Sequence, residues 1–90
     1  MEDTTVIDFE TESIEKRPAY PPKPVGVALR QPSGAKEYLA FNHPEGNNTT
    51  IAVVREKLAE ACRGIVAFHN AAFDLDILDT FFHLRPAKFD

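Results

Sequence analysis

The chain has 90 residues, which admits one small domain, and a domain of that size is marginal unless its core is complete. Its 43% hydrophobic content argues against a disordered protein, and a single cysteine, Cys62, excludes an internal disulfide and argues against a cysteine-based zinc site. A net charge of −4 argues against a module that grips nucleic acid mainly through its phosphates, but it does not count against a site of clustered carboxylates that divalent ions neutralise. No run approaches the roughly 20 apolar residues of a membrane span, and the polar start Met1-Glu2-Asp3-Thr4-Thr5 is not a signal peptide. A soluble protein in the reducing cytoplasm, with no membrane partner, is expected.

Thr5 to Phe9 is β-branched and aromatic with one charge inside it, and predicts a buried strand. Glu10 to Pro24 predicts a polar loop, because Pro18, Pro21, Pro22 and Pro24 break regular structure. Val25 to Arg30 predicts a second strand, Gln31-Pro-Ser-Gly34 a turn, and Lys36 to Phe41 a third strand that completes a hairpin. Asn42 to Thr49 is a further loop. Ile51, Val54, Leu58 and Ala61 then fall at helical spacing, with Arg55, Glu56, Glu60 and Arg63 on the other side. The helix runs over about 50–63, with Thr49 or Thr50 to cap it and Gly64 to supply a left-handed terminus.

Gly64-Ile-Val-Ala-Phe68 is uniformly apolar, the pattern of a central parallel strand covered on both faces. A second helix over about 71–82 carries Phe73, Ile77 and Phe81 as a buried stripe, and Arg85-Pro86 ends it. The order β-β-β-α-β-α predicts an α/β fold. An antiparallel meander is extended by parallel addition into a mixed sheet, with helices packed against it.

Two constellations carry chemistry. In Asp8-Phe9-Glu10 the strand alternation puts both carboxylates on one face. Two acids so placed repel, and a shared proton or a shared divalent cation relieves them; an exposed strand end with two solvated acids is the plainer alternative. In Phe68-His69-Asn70-Ala71-Ala72-Phe73-Asp74 an apolar strand runs straight into a helix whose first turn bears an acid. The helix dipole alone favours Asp74 there, and Asn70 is a good N-cap whose oxygen can accept from the first free N–H groups. The alternative is functional: such a corner lies at the C-terminal edge of a parallel strand, where open α/β sheets carry their sites, and Asp74 would project toward Asp8 and Glu10.

Val6-Ile-Asp-Phe-Glu-Thr11, followed by a Gly-x-Ala-Leu strand, resembles the first motif of the DEDD (DnaQ-like) 3′–5′ exonucleases. His69-Asn70-Ala-Ala-Phe73-Asp74-Leu-Asp-Ile-Leu78 resembles their second, an Asn-x-x-x-Asp in a His-Asn-x-x-Phe-Asp setting. The two lie about 60 residues apart in strand and helix contexts that match the start of a ribonuclease H-like fold. The stretch from Pro18 to Gly26 and the Asn42-to-Asn48 loop are similar to the proofreading exonuclease domain of phage-type family A DNA polymerases.

The resemblance implies that Asp8, Glu10 and Asp74 are catalytic and metal-binding, three of four carboxylates that hold two Mg²⁺ or Mn²⁺ ions. One ion then lowers the pKa of a water, and both stabilise an in-line displacement that releases nucleoside monophosphates from a DNA 3′ end. It implies that Thr11 lies beside the terminal nucleotide and that Asn70 and Phe73 line the substrate groove, although Phe73 also begins the apolar stripe. The implied partners are single-stranded DNA and a polymerase domain, C-terminal or in trans. The implied compartment is the cytoplasm, that of the host cell for a viral protein.

The sequence departs from the family at its end. The family's fourth carboxylate follows a Tyr or His by four residues, whereas Asp90 follows Pro86 by four. Residues 1–90 therefore read as the N-terminal part of a single exonuclease domain that lacks its last strand and helix, with weak or no activity on its own. Asp76 lies about 200° around the helix from Asp74 and should face away; Asp79 reads as a solvated acid. His43, His69 and His83 show no metal-ligand spacing, and Cys62 reads as a small buried hydrophobe. Arg17 and Lys23 read as solvated charges, with phosphate contact as the alternative. The competing reading is a non-catalytic ribonuclease H-like module that binds nucleic acid or a polymerase.

Overall fold

A computed structural model describes residues 4–12 and 20–89. The expectations for Arg17, Pro18 and Asp90 lie outside the described residues. The elements in order are β1 (Thr4–Thr11), β2 (Pro24–Arg30), β3 (Lys36–Ala40), α1 (Ile51–Ala61), β4 (Ile65–Phe68), α2 (Ala71–Phe82) and β5 (Lys88–Phe89). The expected β-β-β-α-β-α order is present, and a short further strand, β5, follows it. The expectation that the last strand is missing is corrected to that extent: two residues past the Arg85-Pro86 stop pair with β4 in parallel, Ile65 with Lys88 and Val66 with Phe89.

The sheet is mixed, in the order β3-β2-β1-β4-β5. β1 pairs antiparallel with β2, as does β2 with β3, while β1 and β4 are parallel. The hairpin forms where the turn residues predict it. Gly34 takes φ 97°, a conformation open to glycine, and its N–H donates to the Gln31 carbonyl at 2.9 Å. That turn fixes the register Arg30–Lys36, Ala28–Tyr38 and Gly26–Ala40. Pro24, assigned above to the loop, is the first residue of β2, a position where a missing ladder donor is tolerated.

Ile7, Phe9, Val27, Leu29 and Leu39 point to one face, and Val54 and Leu58 of α1 with Ile77, Leu78 and Phe82 of α2 close over it. Phe82 joins the layers: its ring stacks on Phe9 at 5.8 Å and meets Phe41 edge-on at 5.9 Å. Arg55 lies over the same ring at 5.7 Å and donates to the Phe82 carbonyl at 2.5 Å, so a residue read as solvent-facing caps the free end of α2.

Both helices lie on that one face. The opposite face carries Asp8, Glu10, Ala28, Arg30, Lys36 and Tyr38, all exposed. The expectation that β4 is covered on both sides is therefore wrong. Val66 is wholly buried, while Ile65 and Ala67, which point the other way, are half-buried.

Two helix details also differ. Thr50 caps α1 as expected, accepting from Val53 N at 3.4 Å, but Ile51 is exposed, and Gly64 is not left-handed. α1 instead ends through Cys62 in a right-handed conformation, and the left-handed cap belongs to His83 after α2, at φ 56°. The buried stripe of α2 is Asp74, Ile77, Leu78 and Phe82, with Phe73 and Phe81 only partly buried. Cys62 is buried as expected, and burial pushes its thiol up. Among the described residues no helix is long and apolar enough to cross a membrane.

Candidate active site

The two sequence motifs meet at the C-terminal ends of the parallel pair β1 and β4. Along β1, Asp8 and Glu10 are exposed on the open face while Phe9 between them is 7% exposed against the core, which is the predicted alternation. β4 ends at Phe68, level with Ile7. Beyond that point the Asp74 side chain takes the next donor of β1: its Oδ1 accepts from Phe9 N at 3.4 Å, 65 residues away along the chain. Its Oδ2 accepts from Asn70 N at 3.0 Å.

Asp74 is 1% exposed, on the same helix face as Ile77 and Leu78. Desolvation raises its carboxyl above the usual 3.8; the hydrogen bonds from Asn70 and Phe9 act the other way and do not cancel it. The charge of Asp8 raises it further, and His69 lowers it, so Asp8 and Asp74 feel each other. Asp8 and Asp74 both offer hard carboxylate oxygens, the donor type that Mg²⁺ or Mn²⁺ takes, so these are the residues that could hold such an ion.

Glu10 does not join the pair. The Tyr38 hydroxyl donates to Glu10 Oε1, and His43 Nε2 lies 3.4 Å from Glu10 Oε2. His43 Nδ1 accepts from Glu45 N at 3.2 Å, which leaves the proton of the neutral ring on Nε2, facing Glu10. Desolvation, followed by the hydrogen bond and charge of Glu10, pushes Tyr38 up to about 12. Among the described residues no three His, Cys, Asp or Glu side chains are gathered as a ready metal cage.

The residues expected to meet substrate lie on β1 and at the start of α2. Thr11 is half-buried at an irregularity of the β1–β2 ladder, and its hydroxyl donates to the Glu12 carbonyl at 3.1 Å. Asn70 stands at the N-cap of α2, but its side chain makes no cap bond, which corrects the capping expectation. The contact runs in reverse, from the Asn70 main chain to Asp74, because Asp74 lies one turn on and reaches back. Phe73 is half-buried, with the exposed Tyr20 ring 6.3 Å away at 57°. The Tyr20 hydroxyl donates to Asp76 Oδ2 at 2.8 Å, and Asp76 is exposed while Asp74 is buried. Asp79 is exposed and lies 3.6 Å from Arg85. Lys23 is exposed.

Sequence reasoning missed Tyr38 and His43. The signal for Tyr38 lay in the hairpin register, which puts it on the face of Asp8 through Ala28. His43 belongs to a loop whose course no local pattern gives. A cleft of about 760 Å³ opens at the far end of the sheet, among Thr5, Gln31, Ala61, Arg63 and Lys88, and touches none of the three acids.

No protein-family model matches the chain, and no curated protein matches it.

Proposed function

We propose that this chain belongs to a ribonuclease H-like 3′–5′ exonuclease domain of the proofreading type, acting with Mg²⁺ or Mn²⁺ on the 3′ end of single-stranded DNA. The observation that carries the reading is the Asp74 carboxylate on Phe9 N. It brings the Asn-x-x-x-Asp corner of α2 onto the main chain between the two acids of β1. The order of elements, with this corner at the C-terminal end of a parallel strand, supports it.

In this reading Asp8 and Asp74 hold the cation. Asp74 is oriented by two main-chain donors, and Asp8 offers its oxygens from the exposed strand face. When bound, the cation lowers the pKa of an attacking water and stabilises charge at phosphorus. Phe73 and Tyr20 offer aromatic surface on which a terminal base can stack, and Thr11 and Asn70 offer polar groups at the rim. With a net charge of −4, the chain depends on cations to bring a polyphosphate close.

One observation favours a second reading, a non-catalytic module that binds nucleic acid or a polymerase: Glu10 is occupied by Tyr38 and His43 rather than turned to the acid pair. Incubating excess chain and Mn²⁺ with a 5′-labelled single strand separates the two. The exonuclease gives slow, stepwise shortening from the 3′ end, lost in Asp8→Ala. Cuts within the strand, or shortening that persists in Asp8→Ala, contradict the exonuclease reading.

A further inference from the structure

Glu10, Tyr38, His43 and Gly26 form an arrangement that the fold does not require. Tyr38 is 42% exposed and stacks on no other ring among the described residues, so its position contributes little to the core. Its ring crosses β2 at Gly26: a Cβ there would fall on the hydroxyl and 2.7 Å from ring carbon Cζ. Only a residue without a side chain lets a phenol from β3 lie over β2 and reach a carboxylate on β1. The loop that brings His43 is itself tied down. Asn47 accepts from His43 N at 2.8 Å, and Asn48 bridges Ala40 N at 2.9 Å and the Tyr38 carbonyl at 2.8 Å. Each oxygen of Glu10 thus faces a donor on the β3 side, away from Asp74, whose charge environment includes Asp8 and His69.

We propose that Tyr38 and His43 are positioning residues that hold Glu10 in a withdrawn place, and that a divalent cation at Asp8 and Asp74 draws it off them. The proposal rests on the assignment of a cation to those two acids. Tyr38 and His43 compete with the cation for Glu10, so removing a holder strengthens binding. A holder that prepared Glu10 in place would weaken binding when lost.

The chain has two tyrosines and no tryptophan, so Tyr20→Phe leaves Tyr38 as the sole phenol to follow by fluorescence. A carboxylate that accepts from a phenol quenches its emission. In the Tyr20→Phe chain without metal, Glu10→Gln should brighten Tyr38; unchanged emission overturns the hold itself and leaves the cation assignment untouched. Adding Mg²⁺ to the Tyr20→Phe chain should brighten Tyr38 in step with the heat of binding. In the otherwise natural chain, Tyr38→Phe should bind Mg²⁺ about fivefold more tightly, the effect of one net hydrogen bond. Mg²⁺ that binds without a change in emission, or more weakly to Tyr38→Phe, overturns the withdrawal and spares the acid pair. Absence of Mg²⁺ binding to both the natural and the Tyr38→Phe chain overturns both.

Discussion

On the α2 flank of β1, Asp74 is held by two main-chain N–H groups and is 1% exposed, whereas on the β3 flank Glu10 is held by two side chains and stands on the open face. An acid fixed by the main chain is part of the fold: it closes the end of β4 and the start of α2 together. An acid fixed by partly exposed side chains can leave them at little cost, because the water it meets replaces most of what it gives up. The two flanks of β1 therefore differ: one holds a carboxylate that cannot move without unfolding a corner, the other a carboxylate that can.

The largest effect should come from Phe82, which secures the α2 flank by contact with Phe9 and Phe41. Phe82→Ala should lower unfolding stability by about 4 kcal/mol in urea melts and release Asp74 with it. Next, Asp74→Ala should cost about 2 kcal/mol, since two N–H groups lose their acceptor. Glu10→Ala on the other flank should cost no more than about 0.5 kcal/mol, as exposed contacts do. Equal losses in the two alanine variants would erase the distinction between the flanks.

A pH series without divalent ions sharpens it further. The Asp74 carboxyl is raised above 3.8 in the fold, so the native state binds its proton more tightly than the unfolded chain does. That contribution is full below pH 3.8 and is lost as pH rises through the higher folded value. Asp74→Asn, which keeps an oxygen for Phe9 N, should flatten this fall, and Glu10→Gln should leave the slope in place.

The first four strands, the hairpin turn and the approach of Asp74 to β1 were legible because each follows from short-range rules: alternation along a strand, a glycine in a turn, an acid at a strand-to-helix corner. The phase of α2 was not. Its stripe of Phe73, Ile77 and Phe81 is as periodic as that of Leu78 and Phe82, and one residue of shift turns a helix by about 100°. What selects the second stripe is tertiary: Asp74 points at β1, and Phe82 then falls on Phe9. The uniformly apolar run from Gly64 to Phe68 predicts cover on both faces of β4, but a run so short carries no record of which face is open. The hold on Glu10 needs the register of three strands, a bare position at Gly26 and the course of a loop, and none of these lies near Glu10 in sequence.

The claim on which the account turns is that Asp8 and Asp74 hold one divalent cation between them. Calorimetric titration of Mn²⁺ into the chain, beside Asp8→Ala and Asp74→Asn, tests it most directly. The account predicts binding to the natural chain that is lost in both variants while each remains folded by circular dichroism. A folded chain that takes up no Mn²⁺, or uptake that survives both substitutions, would contradict it.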